Sequence, residues 1–201
     1  MRAVVIDEPG GPEVLVVRQV PRPEPGLREI RVRIATAGIN RADLIQRQGH
    51  YPAPAGWPQE IPGLEYAGTV DAVGSEVRRW SEGDPVVGLV GGGGYAEHVV
   101  VHEDGAVRRP EGLPREEAGA IPEAFMTAYD ALFRQAGLGL GEALLVHAVG
   151  SGVGTAALQL ARQAGVWTVG TSRTPEKVER AEKMGLDRGV VAEGPDEWVD
   201  P

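Results

Sequence analysis

The chain has 201 residues, a formal net charge of -9 at pH 7 and no cysteine. That length suffices for one large or two small domains that bury on the order of 70% of the unfolded surface. The acidic balance, without a Lys/Arg run, argues against nucleic acid as a partner, and the missing thiols exclude disulfides and thiolate-ligated zinc. Histidines at positions 50, 98, 102 and 147 show no metal-ligand spacing, so no metal is expected. The apolar run in MRAVVIDEPGG is too short for a signal peptide and no segment approaches membrane-spanning length, which predicts a cytoplasmic protein that engages no membrane.

Up to about Arg109 the signal is strands. Ala3 to Ile6, Val14 to Val20 and Ile30 to Ile34 are short β-branched runs. In the last, Ile30, Val32 and Ile34 alternate with Arg31 and Arg33, the pattern of a half-buried strand with both arginines outward. Pro21, Pro23, Pro25 and Gly26 make a loop, and further runs follow at Tyr66 to Val73, Val86 to Val90 and Tyr95 to Val101. Many short strands with turn chemistry between them predict a β-rich barrel or sandwich.

From about Leu113 the period changes to helical. Pro114 opens a short helix and a longer one ending at Gly137, with Phe125, Ala128, Leu132 and Phe133 on one apolar face. Leu144 to Val146 then reads as a strand entering the glycine turn Gly150, Gly152, Gly154, and a helix follows with Val153, Ala157, Leu160, Ala161 and Ala164 on one face. Val166 to Thr171 is the expected second parallel strand. Thr174 and Pro175 are the N-cap and first position of a helix with Val178, Ala181 and Met184 inward, and Gly189 to Ala192 forms a third strand.

Strand, glycine turn and helix in that order suit a pyrophosphate, because glycine lets backbone N–H groups approach it and the helix N-terminus carries partial positive charge. The spelling departs from GxGxxG, whose positions fall on Val149, Ser151 and Gly154. The end of the second strand sets the nicotinamide cofactor: a carboxylate about 20 residues past the turn favours NAD, a cation favours the 2′-phosphate of NADP. Here Ser172, Arg173 and Lys177 supply a hydroxyl and two cations, which favours NADPH. A doubly wound sheet has a second half, and only the first is present, so a fragment, or completion by another segment or chain, is expected. Strand edges left unpaired predict a homo-oligomer, in the simplest case a dimer.

Four linked segments, NRADLIQRQGHYP, IPGLEYAGTVDAVGSEV, IPEAFMTAYDAL and VHAVGSGVGTAALQLA, together resemble the medium-chain dehydrogenase/reductase superfamily, in its zeta-crystallin-like quinone oxidoreductase branch. The resemblance implies an α/β architecture: a GroES-like β-rich domain over residues 1–117 and an incomplete Rossmann-type parallel domain over 118–201. Asn40 and Leu64 stand where the zinc enzymes of the superfamily carry Cys and His ligands, while Asp43, Glu65 and Gly68 are retained, so zinc-free chemistry is implied. By the same resemblance Tyr51 and Asn40 are the catalytic residues, with the Tyr51 hydroxyl as donor and Asn40 positioning the ring. Thr127 touches the nicotinamide side, Gly150, Ser151, Gly152 and Val153 cover the pyrophosphate, and Ser172, Arg173 and Lys177 hold the 2′-phosphate. Relatives place a Tyr near position 192, where this chain has Ala192. The implied reaction is hydride transfer from NADPH to a quinone or similar enone. The alternatives are reduction of an activated alkene such as an enoyl thioester, or a nucleotide-binding fragment without catalysis.

Overall fold

A computed structural model describes residues 1–192 and 194. The chain divides into two compact units, 1–123 and 124–201.

The first unit opens with β1 (Arg2–Ile6) and β2 (Leu15–Gln19), paired antiparallel. Five strands follow, β3 (Glu29–Thr36), β4 (Glu65–Val73), β5 (Pro85–Leu89), β6 (His98–His102) and β7 (Ala106–Arg108). They form an antiparallel sheet in the order β6-β3-β4-β5-β7. Ile30, Val32, Tyr66, Val70, Trp80, Val86, Val99 and Val101 pack as its core, because alternate positions on neighbouring strands face the same side. Helix α1 (Arg41–Arg47) leaves the end of β3, and α2 (Arg115–Ala118) follows β7.

Two sequence expectations are corrected in this sheet. Arg31 is buried at 6% exposure rather than outward. Its guanidinium is paired with Asp71 Oδ1 at 2.8 Å and Glu24 Oε2 at 2.7 Å, and a bulge between Arg31 and Val32 in the β3–β4 register shifts the alternation. Tyr95 is not a strand residue. β6 begins at His98, and Tyr95 is held by backbone bonds to Pro62 and Val4.

The second unit begins within α3 (Pro122–Tyr129), which continues into a π-helical turn over Asp130–Gln135. Gly137 closes it with φ of 67°, a value that costs glycine little. Then β8 (Ala143–Val146), α4 (Gly152–Gln163), β9 (Trp167–Ser172), α5 (Pro175–Lys183) and β10 (Arg188–Val191) alternate. Their strands make a parallel sheet in the order β10-β9-β8. Parallel neighbours require a crossover helix, and α4 and α5 supply them.

Ala128, Leu132, Val146, Val149, Ala157, Leu158, Ala181 and Leu186 form the second core. The apolar face of α4 is rotated from the one expected: Leu158 is fully buried, whereas Val153 is 40% exposed. Val153 lies in the first turn of α4 and is not part of the second core. Gly154 occupies the buried position beside it. A side chain there would bring its Cβ within 2.6 Å of the Ala148 carbonyl oxygen and 2.8 Å of that of Val149.

Candidate functional site

Each unit carries its own candidate site. In the second unit the turn from β8 to α4 is held by short backbone bonds, Val149 N to Thr171 O at 3.0 Å and Ser151 N to Ala148 O at 2.8 Å. Ala148 takes φ of 53°, a left-handed conformation uncommon for a residue with a Cβ. Ser151 is the N-cap of α4, its Oγ accepting from Gly154 N at 3.0 Å. The N–H groups of Gly150, Gly152 and Val153 have no acceptor among the described residues. Orphan donors of a helix first turn, joined to the macrodipole, form an anion cradle.

A cavity of about 180 Å³ opens at this turn, lined by Gly150, Ser151, Ser172, Arg173, Lys177 and Ala192 among others. Arg173 and Lys177 are exposed, and neither forms an ion pair among the described residues. The stem of Lys177 lies over Gly150 so closely that a Cβ on Gly150 would sit 2.7 Å from that of Lys177. The Ser172 Oγ accepts from Thr174 N at 3.2 Å, which orders the start of α5. The structure thus gathers Gly150, Ser151, Ser172, Arg173 and Lys177 at one opening, with Gly152 and Val153 on the adjoining helix turn. Thr127 is exposed on α3 and does not line this cavity.

In the first unit a polar cluster surrounds Asn40, the N-cap of α1. Asn40 N donates to Asp43 Oδ2 at 2.6 Å, and the Asn40 amide nitrogen donates to Glu65 Oε1 at 2.7 Å. Glu65 Oε2 accepts from Glu123 N at 2.9 Å, at the start of α3. The Tyr95 hydroxyl donates to Asp43 Oδ2 at 2.6 Å. Glu65 and Asp43 are 2% and 6% exposed. Burial raises the pKa of Glu65 above the ordinary carboxylate value, with nearby Asp43 adding to the rise while the two hydrogen bonds oppose it. Burial likewise raises Glu123, with Glu65 and Asp43 contributing.

Asn40 is therefore part of a built network, while Tyr51 is 46% exposed and stands outside it. Glu65, Tyr95 and Glu123 were not assigned a role from the sequence. The available signal was the N-x-x-D spacing of a helix cap at Asn40 and Asp43. Leu64, beside Glu65, is buried and apolar, and no group of three or more His, Cys, Asp or Glu among the described residues is arranged to hold a metal ion. No described helix is long and apolar enough to cross a membrane.

Residues 26–111 match the alcohol dehydrogenase GroES-like domain. The quinone oxidoreductase of Pseudomonas aeruginosa is 43% identical over 177 residues, covering 88% of this chain and 54% of that protein. The Escherichia coli quinone oxidoreductase solved in complex with NADPH superposes with a TM-score of 0.86 at 32% identity, over 94% of this chain and 58% of that one. The CurK enoyl reductase superposes with a TM-score of 0.89 at 28% identity, over 97% of this chain and 60% of that one. A β unit that matches the GroES-like domain of alcohol dehydrogenases, followed by a parallel sheet with a glycine turn, is the arrangement this chain shares with these dehydrogenases and reductases. Among these relatives the similarity includes quinone oxidoreductases from bacteria and human. It spans about half the length of the curated relatives it matches, 54% and 57% of the bacterial and human quinone oxidoreductases.

Proposed function

We propose that the protein is an NADPH-dependent reductase of quinones or similar electron-poor enones that works without zinc. The observation that carries this reading is the β8–α4 turn, where the amides of Gly150, Gly152 and Val153 have no acceptor among the described residues, and Gly150 lines a cavity with Arg173 and Lys177, neither of which forms an ion pair among those residues. The amides of Gly150, Gly152 and Val153 fit a diphosphate, with Ser151 shaping the turn. Ser172, Arg173 and Lys177 fit a phosphorylated ribose. NADPH, when bound, supplies the hydride. Thr127 is assigned to the nicotinamide side of the cofactor. Asn40 orients the acceptor, and the Tyr51 hydroxyl donates a hydrogen bond to the oxygen on which charge develops. Neither Asn40, whose amide nitrogen is committed to Glu65, nor Leu64 offers a thiolate or imidazole, which supports a metal-free reaction.

The test is consumption of NADPH and of NADH by the purified protein with a simple benzoquinone. Turnover faster with NADPH is expected, and no turnover with either cofactor overturns the assignment. The similarity to an enoyl reductase favours a second reading, reduction of a carbon–carbon double bond conjugated to a thioester. A panel of quinones, enones and enoyl thioesters separates the two by relative kcat/KM.

A further inference from the structure

An asparagine amide presents a donor on one side and an acceptor of nearly equal size on the other, and only its neighbours choose between them. At Asn40 the neighbour is a carboxylate. Glu65 Oε1 receives the amide nitrogen at 2.7 Å, and an ionised carboxylate can only accept. Glu65 is itself immobile: it is 2% exposed, its Oε2 is tied to the Glu123 amide, and a side chain on Gly38 would collide with its Oε1. The main chain of Asn40 is fixed separately through Asp43, which Tyr95 holds in turn.

We infer that Glu65 is a positioning residue, fixing the Asn40 amide with its nitrogen inward so that an acceptor meets one defined set of hydrogen-bonding atoms. This rests on the role given to Asn40 in the reductase reading. Glu65 does not itself touch the reacting atoms; it acts through Asn40. A protonated Glu65 could donate to the Asn40 oxygen instead, and the amide would be free to turn over.

The groups facing Glu65 are Asp43 from α1, Glu123 from the start of α3 and Tyr95 from the segment before β6. Among the described residues no cation forms an ion pair with Glu65, Asp43 or Glu123. The Glu65 acid is raised above its ordinary value by burial and by Asp43. The ordered orientation therefore belongs to the higher pH side and is lost as pH falls through that raised value.

The experiment compares the wild-type protein with Glu65→Gln, which keeps the shape but offers Asn40 both a donor and an acceptor. Quinone kcat is expected to fall about tenfold while the NADPH dissociation constant holds, and the acid limb of the kcat profile is expected to disappear. The exchange variant Asn40→Asp/Glu65→Gln restores one hydrogen bond with its polarity reversed, so it is expected to recover thermal stability and not kcat. A Glu65→Gln protein with wild-type kcat and an unaltered acid limb overturns the inference, as does recovery of kcat by the exchange. The Asn40 side-chain amide resonance supplies a readout that needs no turnover. If it shifts with pH in the wild type and not in Glu65→Gln, the orientation stands even where no quinone is reduced and the reductase reading falls. If it is insensitive to pH in the wild type, the inference falls whatever the activity.

Discussion

The two candidate sites are made of different materials. The β8–α4 turn offers mainly backbone: three amides, a capping serine and two exposed cations that come from one strand end and the helix after it. The Asn40 cluster joins four separated stretches, around residues 40, 65, 95 and 123, through the Asn40 and Tyr95 side chains and the Asn40 and Glu123 main-chain amides, all converging on two buried carboxylates. A site of the first kind tolerates changes of side chain but not of backbone spacing, and its charges act through solvent. A site of the second kind depends on each partner being present, because a buried polar group left without one costs about 1–3 kcal/mol.

The largest effect expected from this contrast is on the charges. The double variant Arg173→Ala/Lys177→Ala should weaken NADPH binding about 100-fold, or about 2.7 kcal/mol, through two charge-assisted contacts. NADH should be nearly unaffected, and a fluorescence titration with both nucleotides reads the difference. Equal losses for the two cofactors would remove the phosphate role from these residues.

Next comes the backbone itself. Alanine is ordinarily about 1 kcal/mol better than glycine inside a helix. At Gly154 the added Cβ meets two carbonyl oxygens at 2.6 and 2.8 Å, and overpacking of this kind costs about 1–3 kcal/mol. Gly154→Ala should therefore lower stability in denaturant unfolding and weaken nucleotide binding with it. A stabilised variant would show that the turn can move.

The smallest effect falls in the β core. Tyr66 is fully buried, its hydroxyl has no hydrogen-bond partner among the described residues, and burial raises its pKa. Tyr66→Phe should leave stability unchanged or raise it by about 1 kcal/mol, since it removes an unsatisfied polar group. A clear loss in the same assay would reveal a partner for that oxygen.

The same contrast explains what could be read from the chain alone. Gly150, Gly152 and Gly154 sit between a strand and a helix within a dozen residues, and local spacing of that sort is visible in one dimension. The cations at 173 and 177 follow from counting along the next strand. Asn40 and Asp43 were marked by their polarity, yet nothing local joins Glu65 to Glu123, 58 positions apart, or brings Tyr95 to Asp43. Arg31 misled for a related reason: its period was that of a half-exposed strand, and its burial is made tolerable by the distant Asp71 together with Glu24 and the Pro23 carbonyl of the preceding loop. Val153 misled because the first turn of a helix does not share the burial of the turns after it.

Ala148 carries a further meaning. Its left-handed backbone costs an L-residue about 1–2 kcal/mol, and the backbone bonds from Val149 to Thr171 and from Ser151 to Ala148 hold that strain. A turn held by its own backbone bonds should keep its shape in the free protein, so capture should be limited by encounter and not by loop rearrangement. Relaxation measurements on the free protein should find residues 148–152 as rigid as the strands beside them.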